Sequence, residues 1–187
     1  MKLWTIQKEE VLEILERDGV YKTNINLVDN PEFFNAYDWL NTYLEKKEKR
    51  PEDVSYPIWA WYRRDSKEKK PDLRHAGYET SGTKCVCIEL EVPDDIVLLS
   101  DFDYWHWVLN NWWLDDSTNE EEWDKNQEWF ETLSREEQEK LKRKSWEKIF
   151  DISIIDTGWQ KRGQYVQAVF WELKKEYVKK VQYFTAR

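Results

Sequence analysis

The residues of this chain with reactive or ligand-holding side chains fall into a few closely spaced sets. In "KCVCIELEV" (84–92), Glu89 and Glu91 share one face of a strand and stand about 7 Å apart by two strand rises. Two carboxylates at that spacing suit acid–base chemistry, although the solvent-facing side of an edge strand is the commoner reason for such a pair. Cys85 and Cys87 point to one face of the same strand, a poor geometry for a mutual disulfide. With His75 and His106 as the only histidines, the thiols read as buried side chains in a reducing compartment, not as metal ligands. His75 sits in a polar loop, and His106 adjoins an apolar helical stripe where a hydrogen-bonded histidine at the core edge is expected. Tryptophans concentrate at 59/61, 105/107 and 112/113. Indoles stack on nucleobases, nicotinamide or sugars, and Arg63 or Arg64 nearby would suit a phosphate. With 13 Trp in 187 residues, most must be packing, leaving one or two to line a pocket.

Several chemistries are excluded. Five glycines scattered at 19, 77, 82, 158 and 163 make no phosphate-cradling loop, and there is no nucleophile elbow and no helical His pair. A net charge of −9 disfavours a general grip on nucleic acid, which needs a basic surface. The basic runs "KKEKR" (46–50) and "KLKRK" (140–144) read as solvated helix ends. No signal peptide is expected behind "MKLWTIQKEE", and no run of 18 apolar residues offers a membrane span, so a cytoplasmic location is expected.

The elements that must position these residues alternate between strand and helix patterns within one domain, 1–187. "KLWTIQ" (2–7) reads as a strand and 8–19 as a helix stopped at Gly19; a second helix starts at Asn30–Pro31 with the stripe Phe33, Tyr37, Leu40, Leu44. "YPIWAWYRR" (56–64) is a strand, 63–82 a long polar loop, 84–92 a strand and "IVLLS" another. A helix follows over 100–113 with Ser100 or Asp101 as its cap, and about 115–148 reads as a charged helical insertion lying over the core, with a capping box at Ser134–Glu137. The end reads as a strand (165–173), a short helix "KKEYVKKV" and a last strand "QYFTA". The class is α+β with a small mixed or antiparallel sheet.

The blocks "LWTIQ", "YPIWAWYRR", "IELEVPDDIVLLSDFDYWHWVLN", "SWEKIFD" and "QAVFWEL" resemble, in this order, a family of bacterial and phage-associated proteins that has no established activity. A more distant likeness is to ADP-ribosyltransferase-like domains. "KLWTIQKEEVLEILERDGVY" is similar to their opening strand and helix, "KCVCIELEVPDD" to a central strand, and "VQAVFWELKKEYVKKVQYF" to their closing unit. That resemblance implies a split sheet clasping NAD. It places Thr5 or Gln7 in the first-strand slot, Trp61 or Tyr62 on the second strand and Gln167 near the third. Thr5 and Gln167 then take the catalytic positions, while Trp4, Gln7, Trp61, Tyr62 and Arg63 line the pocket. The chain departs from that pattern in lacking a His or Arg within 2–7 and in offering Gln167 where an acid is expected, Glu172 falling on the opposite strand face. The resemblance therefore implies a domain binding NAD or ADP-ribose, with its catalytic positions degenerate. The alternative is a host-directed or defence-related protein-interaction module, without a small-molecule site, whose acidic segment 115–148 meets a basic partner.

Overall fold

The computed structural model describes residues 1–23 and 31–187, so the cap expected at Asn30 lies outside the described residues. The fold is α+β. Its centre is a six-stranded sheet built from Lys2–Lys8 (β1), Ile58–Arg63 (β3), Lys84–Glu91 (β4), Leu98–Asp101 (β5), Val166–Phe170 (β8) and Val178–Thr185 (β10). The spatial order is β10-β4-β1-β3-β8-β5, and every neighbouring pair runs antiparallel. Two small ribbons lie apart from it: Val20–Lys22 (β2) pairs with Glu172–Lys174 (β9), and Ile155–Asp156 (β6) with Lys161–Arg162 (β7).

Pleating separates the side chains onto two faces. Leu3 pairs with Leu90 and Thr5 with Ile88, and this face packs with Ile58, Ala60, Ala168 and Phe170 against Val11, Leu12 and Leu15 of the helix Glu9–Asp18 (α1). That helix ends as its sequence implies: Gly19 takes a φ of 77° and its N–H reaches the Leu15 carbonyl, 3.0 Å away. The opposite face, with Trp59, Leu98 and Val169, receives Phe34–Leu44 (α2), Phe102–Leu109 (α3) and the 3-10 turn Trp146–Phe150. This second core is aromatic. Trp39 stacks on Phe150 at 5.6 Å and meets Trp146 edge-on at 5.4 Å, while Tyr37 meets Trp105 edge-on at 5.6 Å.

The segment 115–148 forms Glu120–Thr132 (α4) and Arg135–Ser145 (α5), with the capping box at Ser134 formed in both directions. Its last residues do not lie over the core but inside it, since Trp146 and its neighbour in the next turn, Ile149, are buried. The chain end differs from expectation twice. Residues 165–173 do not make one strand, because Trp171 breaks the run: it is sealed in the aromatic core, its indole N–H on the Glu48 carbonyl at 2.8 Å. The helix expected over 174–181 is a single 3-10 turn at Lys175–Tyr177, after which the chain is strand β10, paired along β4. Val178, Val181 and Phe184 gain more by adding an edge to the sheet than from the weak helix pattern of that segment. No helix among the described residues is long and apolar enough to cross a membrane.

Candidate functional site

The seam between β1 and β3 is the feature that shapes a site. Against β4, β1 pairs along its whole length, from Lys2↔Glu91 to Lys8↔Cys85. Against β3 it shares the register pair Trp4↔Trp61, and beyond it the strands are bridged by a side chain, the Thr5 hydroxyl donating to the Trp59 carbonyl at 2.8 Å. Two hollows open beside this seam, both touching Ile6 and Trp59. The larger is a cleft of about 610 Å³.

Trp61 and Gln167, paired in register, both line that cleft. Trp4 shares their sheet face but is buried, its indole N–H donating to Glu89 at 3.2 Å. Gln7 points to the other face and lines the neighbouring hollow of about 480 Å³. Its amide donates to the Thr5 hydroxyl at 2.8 Å, and Thr5 is fully buried. Tyr62 also faces away, packing against the α1-side core and donating to Glu68 at 2.6 Å. Arg63 is turned inward, one guanidinium nitrogen donating to the carbonyls of Ile152 and Gly163, each at 2.8 Å. Sequence reasoning thus placed seven side chains together that the fold distributes over two hollows and the interior.

The residue that takes the place expected for Arg63 is Arg64. A register shift between Trp61 and Arg63 against β8 rotates the strand end. A two-residue turn then follows at Asp65 and Ser66, both left-handed at φ 48° and 61°, and closed by reciprocal Arg64–Lys67 backbone hydrogen bonds. Tyr165 donates its hydroxyl to Asp65, and the Ser66 N–H reaches the Gln164 carbonyl, so the turn is tied to β8's entry. The Arg64 guanidinium lies 4.7 Å from the Trp61 ring centre and 6.0 Å from those of Tyr78 and Tyr165. Among the described residues its side chain donates one hydrogen bond, to the Tyr78 hydroxyl at 2.6 Å, and forms no ion pair, although its charge reaches the neighbouring Asp65 carboxyl. A half-buried guanidinium beside three aromatic rings, with most of its N–H donors unspent, is suited to a phosphate or carboxylate from outside.

The other walls come from the long loop and from α3. Tyr78, Gly77, Ala76 and His75 line the cleft from 63–82, with Tyr78 anchored on the Asp72 carbonyl at 3.1 Å. Phe102 and Asp103 line it from the start of α3, and the Phe102 ring lies 5.0 Å from Trp61. Partial desolvation and then the nearby Asp101 charge push the Asp103 carboxyl above its ordinary range. Trp59 contributes a buried indole N–H with no aligned acceptor among the described residues, although the Tyr37 hydroxyl is close enough to feel it.

The wall that carries Phe102 and Asp103 is fixed from behind by Asp101. Fully buried at the end of β5, it accepts the Tyr104 N–H at 2.9 Å and the Gly163 N–H at 2.6 Å, one on each oxygen. Burial pushes its carboxyl up, and these backbone donors restrain the shift. Gly163 has a φ of 73°, and a Cβ there would lie 2.5 Å from the Ser153 carbonyl oxygen, so only glycine fits. Asp101→Asn turns one acceptor into a donor facing an N–H. It should destabilise the fold by about 2 kcal/mol or more in a denaturant titration, the scale of hydrogen bonds to a charged group. A loss below ~0.5 kcal/mol would show that these contacts hold nothing in place.

The other reactive sets have structural explanations. Glu89 is held by Lys2 at 2.8 Å and by Trp4, which keep its carboxyl below the ordinary range, and Glu91 pairs with Lys179 at 3.2 Å. Both thiols are buried, and burial pushes Cys87 up to about 11. His106 is exposed, its Nδ1 2.8 Å from the Phe102 carbonyl one turn earlier.

A family model described as a domain of unknown function, DUF3841, matches residues 2–179. The chain belongs to that family. No curated protein and no solved structure matches it. The DUF3841 match spans every element that lines the cleft, from β1 through the entry to β8.

Proposed function

We propose that this DUF3841 chain binds a nucleotide-type ligand, NAD or ADP-ribose, in the cleft beside the β1–β3 seam. The observation that carries this reading is Arg64, a cation in no ion pair among the described residues, lying over Trp61 with the rings of Tyr78 and Tyr165 nearby. Phosphate oxygens would take its free donors. Trp61 and Phe102 would cover a base or nicotinamide ring, and the amide of Gln167 would reach ribose hydroxyls. Further support is that the strands on which the resemblance puts Thr5 or Gln7, Trp61 or Tyr62 and Gln167, namely β1, β3 and β8, are neighbours in the sheet.

Binding is favoured over transfer. Gln167 can donate and accept hydrogen bonds but cannot supply the negative charge that would stabilise an oxocarbenium-like centre, and Thr5 is sealed from the cleft. The carboxylate that does line the cleft is Asp103, from a different element. Isothermal titration with NAD and with ADP-ribose tests the reading. Saturable heat with at least one ligand, weakened by Gln167→Ala, is expected. No heat with either would remove it.

A further inference from the structure

Two aromatic hollows of the molecule differ in their charges. In the helical groove of about 640 Å³ bordered by α3, α4 and α5, where Trp112 and Trp123 are exposed, the carboxylate is Glu139, and it is spent on Lys142 and Arg143. In the cleft beside the β1–β3 seam the charges are open. Arg64 is in no ion pair there, and Asp103 is exposed, its carboxyl accepting no hydrogen bond and joining no ion pair among the described residues. The Gln167 amide that lines the same cleft is likewise unspent among the described residues.

The parts of a nucleotide ask for different partners. A pyrophosphate takes the donors of Arg64, whereas a ribose diol is a pair of O–H donors that a carboxylate accepts together. The ring is decided by the same cation. Arg64 lies 4.7 Å from the Trp61 ring centre, so a positively charged nicotinamide covering Trp61 would be repelled, while neutral adenine is not. Adenine against Trp61 and Phe102 brings the adenosine ribose, not the nicotinamide ribose, to Gln167 and Asp103. Resting on the nucleotide reading of this cleft, we infer that Asp103 determines its specificity, holding the 2′- and 3′-hydroxyls of the adenosine ribose and turning away a nucleotide phosphorylated at the 2′ position. A 2′-phosphate removes one of the two donors and sets negative charge against a carboxylate that has no ion-pair partner among the described residues.

Calorimetric titration of the full chain with two ligand pairs tests this: NAD against NADP, and ADP-ribose against its 2′-phosphorylated form. In the wild type the unphosphorylated member of a pair should bind about tenfold tighter or more. Asp103→Asn keeps the shape of the side chain and loses its charge. It should weaken the unphosphorylated ligands by roughly three- to tenfold and bring the members of each pair to within ~threefold of one another. Asp103 is exposed, so circular dichroism should show an unchanged fold. Equal affinity of the two members in the wild type, or discrimination that survives Asp103→Asn, would overturn the inference and leave the cleft as the ligand site. Absence of heat with both NAD and ADP-ribose would overturn it together with the nucleotide reading beneath it.

Discussion

Trp146→Ala should cost about 3–5 kcal/mol of stability, the scale of emptying a buried tryptophan site. Trp146 is 1% exposed. Its indole meets Trp39 edge-on at 5.4 Å, and its N–H donates to the Trp112 carbonyl at 2.8 Å. The Arg143 guanidinium covers the ring from 5.6 Å. One side chain therefore fastens the end of α5 and the 110–114 segment to the aromatic core. Its removal leaves a cavity among rigid rings that cannot collapse, and a carbonyl without its donor. Trp112→Ala, on the exposed side of the same contact, should change stability by no more than ~0.5 kcal/mol. Denaturant midpoints of the two variants check the contrast, and similar small losses for both would mean that the aromatic layer is loosely packed.

Arg64→Ala should weaken ADP-ribose binding by roughly 10- to 150-fold, corresponding to loss of charge-assisted hydrogen bonds of ~1.5–3 kcal/mol. Adenosine, which carries no phosphate, should lose little. Arg64→Lys should recover only part of the affinity, because an ammonium keeps the charge but neither the fork of donors nor the guanidinium's contact with the Trp61 ring. Since Arg64 is half-buried and forms no ion pair among the described residues, these changes should leave stability nearly intact. An equal loss for adenosine and ADP-ribose would assign Arg64 to holding Tyr78 in place instead of meeting phosphate.

Much of this was legible in the residues because it is local. Gly19 at a helix end, the Ser134–Glu137 box and the alternation of Ile58, Ala60 against Trp59, Trp61 each depend on neighbours a few positions away. The pairing of Trp61 with Gln167 has no such local signature; only the distant resemblance put the two on strands of one cleft. What escaped was set by distant contacts. Period-two counting from Thr5 and Gln7 puts both on one face, but only the register against β3, Trp4 opposite Trp61, shows that this is the face opposite Trp61. The choice of Arg64 over Arg63 follows from a one-residue shift against β8 and from two non-glycine residues in left-handed conformation, neither of which has a sequence signature. The first half of the edge strand, 178–181, reads as the end of a helix when considered alone, and becomes strand because β4 offers an edge to pair along. Likewise Tyr78, Phe102 and Asp103 reach the cleft from segments whose patterns indicate a loop and a helix start, with nothing to show that they meet.

The location of the ligand is tested most directly by following the indole N–H signals of nitrogen-15-labelled tryptophan in the whole chain as ADP-ribose is added. The Trp59 and Trp61 signals should move together and saturate, while those of Trp112 and Trp123 stay in place. Signals that do not respond at all, or that respond only in the helical groove, would contradict a nucleotide site at the β1–β3 seam.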